Sequence, residues 1–103
     1  MRQLGVEGYR IDPQARRLLS PSGEPVAMTA DDIADIVTGF GRAARVCRDG
    51  GFTGIQVHAA HGYLLHEFLS PLANQRTDAY GGSFEKRIRF VIEVFSAMRA
   101  ASC

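Results

Sequence analysis

Neither sign of charge dominates this 103-residue chain: twelve Lys and Arg stand against eleven Asp and Glu, a formal net charge of +1. Without a basic surplus there is no electrostatic case for nucleic acid or for an anionic membrane surface. No apolar run approaches the roughly 18 residues a spanning helix needs. The opening stretch, MRQLGVEGYRID, lacks an apolar core of signal-peptide length, so nothing in it marks the chain for secretion. Cysteine is scarce. Cys47 falls in an expected helix and Cys103 is the last residue, a pattern that fits a reduced, cytoplasmic protein better than a disulfide scaffold. Internal repeats and low-complexity tracts are missing, as are a P-loop and a G-x-G-x-x-G loop. What remains is the balance of a globular protein, 46% apolar and 22% charged, in a length that suits one small domain.

The character of the sequence changes near residue 29. Residues 1–28 hold Pro13, Pro21 and Pro25 with Gly5, Gly8 and Gly23, show no sustained period, and are expected to form an irregular N-terminal segment; SPSGEP (20–25) reads as a turn or loop. Residues 29–103 are organised. A helix is expected over 29–49, with Thr29 as N-cap, Asp32 as its capping-box partner, and Ile33, Ile36, Val37, Phe40, Ala44 and Cys47 at helical spacing. Gly39 and Gly41 in its interior are best tolerated where a neighbour approaches closely, and Gly50-Gly51 supplies a left-handed stop. FTGIQVH (52–58) reads as one short strand, with Ile55 and Val57 on one face and Gln56 and His58 on the other. A long connection follows, with a helical turn expected across Tyr63–Leu69 before Pro71. A second helix starts at Ser83, with Phe84, Ile88, Val91, Phe95 and Met98 as its expected apolar stripe. One strand between two helices is not a closed fold, because a lone strand leaves both rows of its backbone groups unpaired. A strand followed by a helix is the repeating unit of parallel α/β architectures. The chain therefore reads as a piece of a larger α/β domain, either a fragment or a protomer that needs partners, and its uncovered apolar faces are expected to favour self-association.

The chemistry gathers at His58-Ala59-Ala60-His61-Gly62-Tyr63, where the expected strand ends, the place parallel α/β folds keep their functional groups. Two imidazoles and a phenol there suit an oxygen that becomes negative during reaction. At about 1.5–3 kcal/mol for each charge-assisted hydrogen bond, two positioned donors lower a barrier by roughly 3–6 kcal/mol. Two other readings stay open on residue types alone: ordinary polar loop residues, or three zinc ligands His58, His61 and His66 of a hydrolase. In the second dense segment, NQRTDAYGGS (74–83), Arg76 and Asp78 are expected to pair and hold the loop, and Arg87 and Arg89 to be solvated or to anchor it.

The run HAAHGYLLHEFLSPLANQRTDAYGGSFEKRIRFVIEV closely resembles the signature region of the Old Yellow Enzyme family, FMN-dependent NAD(P)H oxidoreductases often called ene-reductases. The preceding FGRAARVCRDGGFTGIQVH resembles the helix and fourth barrel strand of the same proteins, so the resemblance covers residues 29–100. It implies an α/β fold: the helix–strand–loop–helix portion, around the fourth strand, of a (β/α)₈ TIM barrel with FMN at its mouth. It implies a small enone-type substrate, reduced at its C=C bond by hydride that comes from NAD(P)H through the flavin. His58 and His61 match the pair that hydrogen-bonds the substrate carbonyl, and Tyr63 matches the tyrosine that protonates the α-carbon. The main FMN contacts in the family come from barrel segments outside these residues. Against this reading stands a barrel remnant or interaction module that keeps the motif without catalysis.

Overall fold

The computed structural model describes residues 10–12, 17–19 and 25–102, with side chains from residue 27 onward. Most of the expected loop at 20–25, and Cys103, lie outside them. The first elements are three short strands, β1 (Arg10–Asp12), β2 (Arg17–Leu19) and β3 (Pro25–Val26). They form an antiparallel sheet in sequence order, with Arg10 opposite Leu19 and Leu18 opposite Val26. The segment expected to be irregular thus carries a small meander; strands of two or three residues are too short to show an alternating pattern.

Helix α1 (Ala30–Asp49) begins with a full capping box. The Asp32 N–H donates to Thr29 Oγ1 at 3.1 Å, and the Thr29 N–H donates to Asp32 Oδ2 at 2.9 Å. Asp thus replaces the usual Glu or Gln without loss of the reciprocal bond. The helix ends in a Schellman motif. The Phe52 N–H reaches the Cys47 carbonyl at 3.1 Å and the Gly51 N–H reaches that of Arg48 at 3.1 Å. Gly51, with φ +90°, carries the left-handed residue, whereas Gly50 stays right-handed.

Helix α2 (Leu64–Leu69) and helix α3 (Phe84–Ser102) complete the elements. The core lies where the three helices meet: Ile33, Ile36 and Ala44 from α1, Leu65 and Phe68 from α2, Phe90, Val94 and Met98 from α3, with Met28 beneath. Phe68 meets Phe90 edge to face, ring centroids 4.7 Å apart. Gly41 explains itself: a methyl added there would lie 3.4 Å from the Ala97 carbonyl oxygen, so α1 and α3 cross on small residues. The α1 stripe is as expected, with Cys47 half-buried on it.

Two expectations need correction. The stripe expected on α3 is buried only in part: Met98 is in the core and Val91 packs against it, but Phe84 and Phe95 are 59% and 51% exposed, and Phe90 and Val94 are buried instead. A helix of an α/β fold is apolar on two sides, one for its neighbouring helix and one for a sheet; α1 and α2 take the first, and among the described residues the side bearing Phe84 and Phe95 stays exposed. The segment 52–58 forms no ladder. Strands need partners, and β1–β3 pair only with one another. Phe52 is left 70% and Ile55 41% exposed, while Val57 and Ala59 touch the core. Among the described residues no helix is long and apolar enough to cross a membrane.

Candidate active site

After His58 the backbone makes a tight turn through two consecutive left-handed residues, His61 with φ 59° and Gly62 with φ 73°. Glycine adopts this region freely; for His61 it costs roughly 1–2 kcal/mol. The Tyr63 N–H closes the turn on the Ala60 carbonyl at 3.3 Å. Tyr63 is then the extended N-cap residue of α2, and its carbonyl accepts the Glu67 N–H at 2.9 Å. The Gly62 N–H donates to Nδ1 of His66, one turn into α2, at 2.7 Å.

The turn brings together the three residues singled out in the sequence. The His58 ring is near both of the others, 5.5 Å from the His61 centroid at an interplanar angle of 25°, and 5.3 Å from the Tyr63 centroid at 48°. All three are exposed, and none of their side chains has a hydrogen-bond partner among the described residues. Two imidazoles and a phenol therefore offer donors on one open edge. His66 is drawn elsewhere: its Nδ1 is taken by Gly62, and the described residues contain no group of three His, Cys, Asp or Glu placed to hold a metal ion.

The loop after α2 is fastened to α2 and α3 by side chains that bond its backbone. Asn74 is its hub. Nδ2 donates to the Phe68 carbonyl at 2.7 Å and to the Tyr80 carbonyl at 2.9 Å, while Oδ1 accepts the Arg76 N–H at 2.9 Å. Arg76 lies over the Phe68 ring, 5.4 Å from its centroid, and forks onto Asp78, Nε to Oδ1 at 3.1 Å and an η-nitrogen to Oδ2 at 2.6 Å. The Arg76 hydrogen bond holds the Asp78 carboxyl below the usual aspartate range; burial opposes this and the Tyr80 N–H adds to it. Tyr80 donates to both oxygens of Glu93 on α3, at 2.9 and 3.2 Å, and desolvation together with that carboxylate raises its phenol above the ordinary value. Arg87 donates to the Leu69 carbonyl at 3.0 Å and to that of Gly82 at 2.7 Å; Arg89 donates to that of Ala79 at 2.8 Å. The arginines expected to be solvated or loop-anchoring are anchors. Sequence reasoning missed Asn74, the Tyr80–Glu93 bond and the part played by His66.

Gly81 leaves no room for a phosphate cradle. A Cβ at Gly81 would stand 2.5 Å from both Cβ and the carbonyl oxygen of Arg76 and 2.8 Å from Asn74 Oδ1, so the space is already filled by the loop's own atoms. Among the described residues, His58, His61 and Tyr63 offer exposed donors, and Gly81 offers no room for a phosphate group.

A three-helix piece of α/β character, ending an unpaired segment in His-x-x-His-Gly-Tyr, is what one slice of a flavin-dependent barrel would leave. Residues 8–102 match the sequence model of the NADH:flavin oxidoreductase / NADH oxidase family, and the chain belongs to that family. The NADPH dehydrogenase of Bacillus subtilis is 45% identical over 98 residues, 95% of this chain but 29% of that protein. The structure of morphinone reductase in complex with tetrahydroNAD superposes with a TM-score of 0.74 at 41% identity, over 76% of this chain and 22% of that one. The old yellow enzyme homologue from Zymomonas mobilis gives 0.72 at 37% identity, over 78% of this chain and 24% of that one. The chain thus spans less than a third of these relatives. Its fold is a partial (β/α)₈ barrel, and the match from residue 8 takes in positions before the resemblance at 29–100.

Proposed function

We propose that this chain supplies the substrate-carbonyl side of the active site of an FMN-dependent, NAD(P)H-consuming oxidoreductase that reduces the C=C bond of a small α,β-unsaturated carbonyl compound. One observation carries the reading: His58, His61 and Tyr63 stand side by side on an open edge, with centroid separations of 5.5 and 5.3 Å. FMN, when bound, supplies the hydride. His58 and His61 donate to the substrate's carbonyl oxygen and hold it as negative charge grows there. Hydrogen bonds to a charged oxygen are worth about 1.5–3 kcal/mol each, and the fixed turn means little reorganisation during reaction. Tyr63 delivers its phenolic proton to the α-carbon. A cytoplasmic setting without nucleic-acid or membrane partners belongs to the same proposal.

The test is a chimera in which residues 27–102 replace the equivalent stretch of the Bacillus subtilis NADPH dehydrogenase, so that the flavin site is complete. His58→Ala and His61→Ala are each expected to weaken enone binding and to slow enone reduction by about tenfold or more, the equivalent of one charge-assisted bond. Unchanged enone kinetics in both variants would refute the carbonyl-binding role. An alternative remains in which the segment is a remnant without turnover; a wild-type chimera that binds flavin yet reduces no enone would favour it.

A further inference from the structure

We propose that His66 is a positioning residue for this site: as the Nδ1 acceptor of the Gly62 N–H, it locks the left-handed His61-Gly62 turn and thereby aims His61 and Tyr63. The inference rests on the functional reading above and adds to it a residue that touches no substrate. The argument begins with the turn. Two consecutive left-handed residues, one of them not glycine, are not a conformation the backbone keeps unaided. Something outside the turn must hold it. Among the described residues, the side-chain bond that does so is Gly62 N–H to His66 Nδ1, 2.7 Å long and half-buried. Its geometry resembles a capping box moved by one residue. The third residue of the helix reaches back, but past the N-cap residue Tyr63 to the amide before it. The bond closes a ring of backbone around Tyr63, so the Cα–Cβ direction of the tyrosine follows from it.

The anchor is itself fixed. Leu65 and Phe68, on either side of His66, are buried in the core. The His66 carbonyl accepts the Ser70 N–H at 3.0 Å, and Arg87 from α3 holds the last carbonyl of α2, that of Leu69, at 3.0 Å. A displacement of the turn would therefore occur at the His66–Gly62 link before it occurred in the helix. Acceptance at Nδ1 also settles the tautomer: the ring proton resides on Nε2. The same choice explains why His66 does not join His58 and His61 despite its place in the H-x-x-H-x-x-x-x-H run.

The chemistry supplies a discriminating pair of variants. In asparagine, Oδ1 is bonded to Cγ as Nδ1 is in histidine, so His66→Asn keeps an acceptor at the same reach and loses Nε2. His66→Leu keeps bulk and loses the acceptor. Two measurements follow. In the ¹⁵N-labelled 103-residue chain, a nitrogen–nitrogen coupling across the Gly62–His66 bond and an Nε2–H tautomer are expected; an Nδ1–H tautomer would overturn the proposal. In the chimera, with 2-cyclohexen-1-one as the probe, His66→Leu is expected to slow enone reduction by about 10- to 100-fold, the scale of an ångström-sized misplacement, with flavin reduction by NADPH kept. His66→Asn should recover most of the lost rate. Asn as slow as Leu, or Leu as fast as wild type, would overturn it. Failure of the functional reading looks different: Tyr63→Phe would keep its enone rate while the Gly62–His66 coupling was still present.

Discussion

Replacing Tyr63 by Phe removes a single O–H from the site, and the structure indicates how cleanly. The side chain is 58% exposed, and its hydroxyl has no hydrogen-bond partner among the described residues. Its loss should therefore change stability by no more than about 0.5 kcal/mol, the usual range for a surface substitution. The aromatic ring remains to pack beside His58, 5.3 Å away. What is lost is a proton donor. Reduction of the flavin by NADPH does not draw on that proton, so this half-reaction in the chimera should be nearly unchanged. Enone reduction, on the proposal that Tyr63 protonates the α-carbon, should slow by about 10²–10⁴-fold, equivalent to roughly 3–5 kcal/mol of transition-state stabilisation. Reduction of a quinone, which protonates no carbon, should be spared. Stopped-flow absorbance separates the two half-reactions. Equal slowing of both would refute the proton-donor assignment, and no change in either would leave Tyr63 a bystander.

Gly81→Ala should destabilise the loop by about 1–3 kcal/mol through overpacking, because its Cβ would fall 2.5 Å from Arg76; thermal melts of the chimera check this. Asn74→Ala, which breaks bonds to Phe68, Tyr80 and Arg76, should cost about 2–4 kcal/mol at roughly 1 kcal/mol per bond, and Asn74→Asp should not restore the two donated bonds. The Asp78 carboxyl is held below the ordinary value near 3.8, so its contribution is present above that pH and lost as pH falls through the lowered folded value. Wild type and Asp78→Asn should accordingly differ in melting temperature near neutrality and converge in strong acid. The 103-residue chain by itself, with Phe52, Ile55, Phe84 and Phe95 exposed, should associate in solution and bind FMN weakly; a monodisperse monomer by sedimentation, or stoichiometric flavin on purification, would contradict this.

What could be read in the sequence was what local residues determine. The start of α1 was legible because Thr29 and Asp32 are three positions apart and satisfy each other. Its end was legible because Gly51 is the residue that takes a positive φ. The 52–58 segment shows the opposite case. Its alternation of Ile55, Gln56, Val57 and His58 is that of a strand, yet strand formation is a property of a pair, and among the described residues no neighbour lies alongside. The α3 stripe held only in part for a related reason. Phe84, Ile88, Val91, Phe95 and Met98 define a real apolar face, but burial depends on which face meets a partner, and here Phe90, Val94 and Met98 do.

The site divides along the same line. His58, His61 and Tyr63 were legible because side-chain chemistry at a strand end is visible in the residue types, and the turn then places His61 and Tyr63 each within 5.5 Å of the His58 ring. The side chains that fasten the backbone around them were not legible, because they act on backbone groups. Asn74 binds two carbonyls six residues to either side, and nothing about Phe68 or Tyr80 as side chains announces that their carbonyls need a donor. His66 looked like a third member of a histidine set, and its partner proves to be the amide of Gly62. A histidine four residues after a glycine that must turn left-handed at a helix start is a signal of sorts, since the glycine's N–H precedes the helix and needs an acceptor. Side chains that bond backbone are therefore the ones that residue types conceal, and in this chain they fasten the turn before α2 and the loop after it.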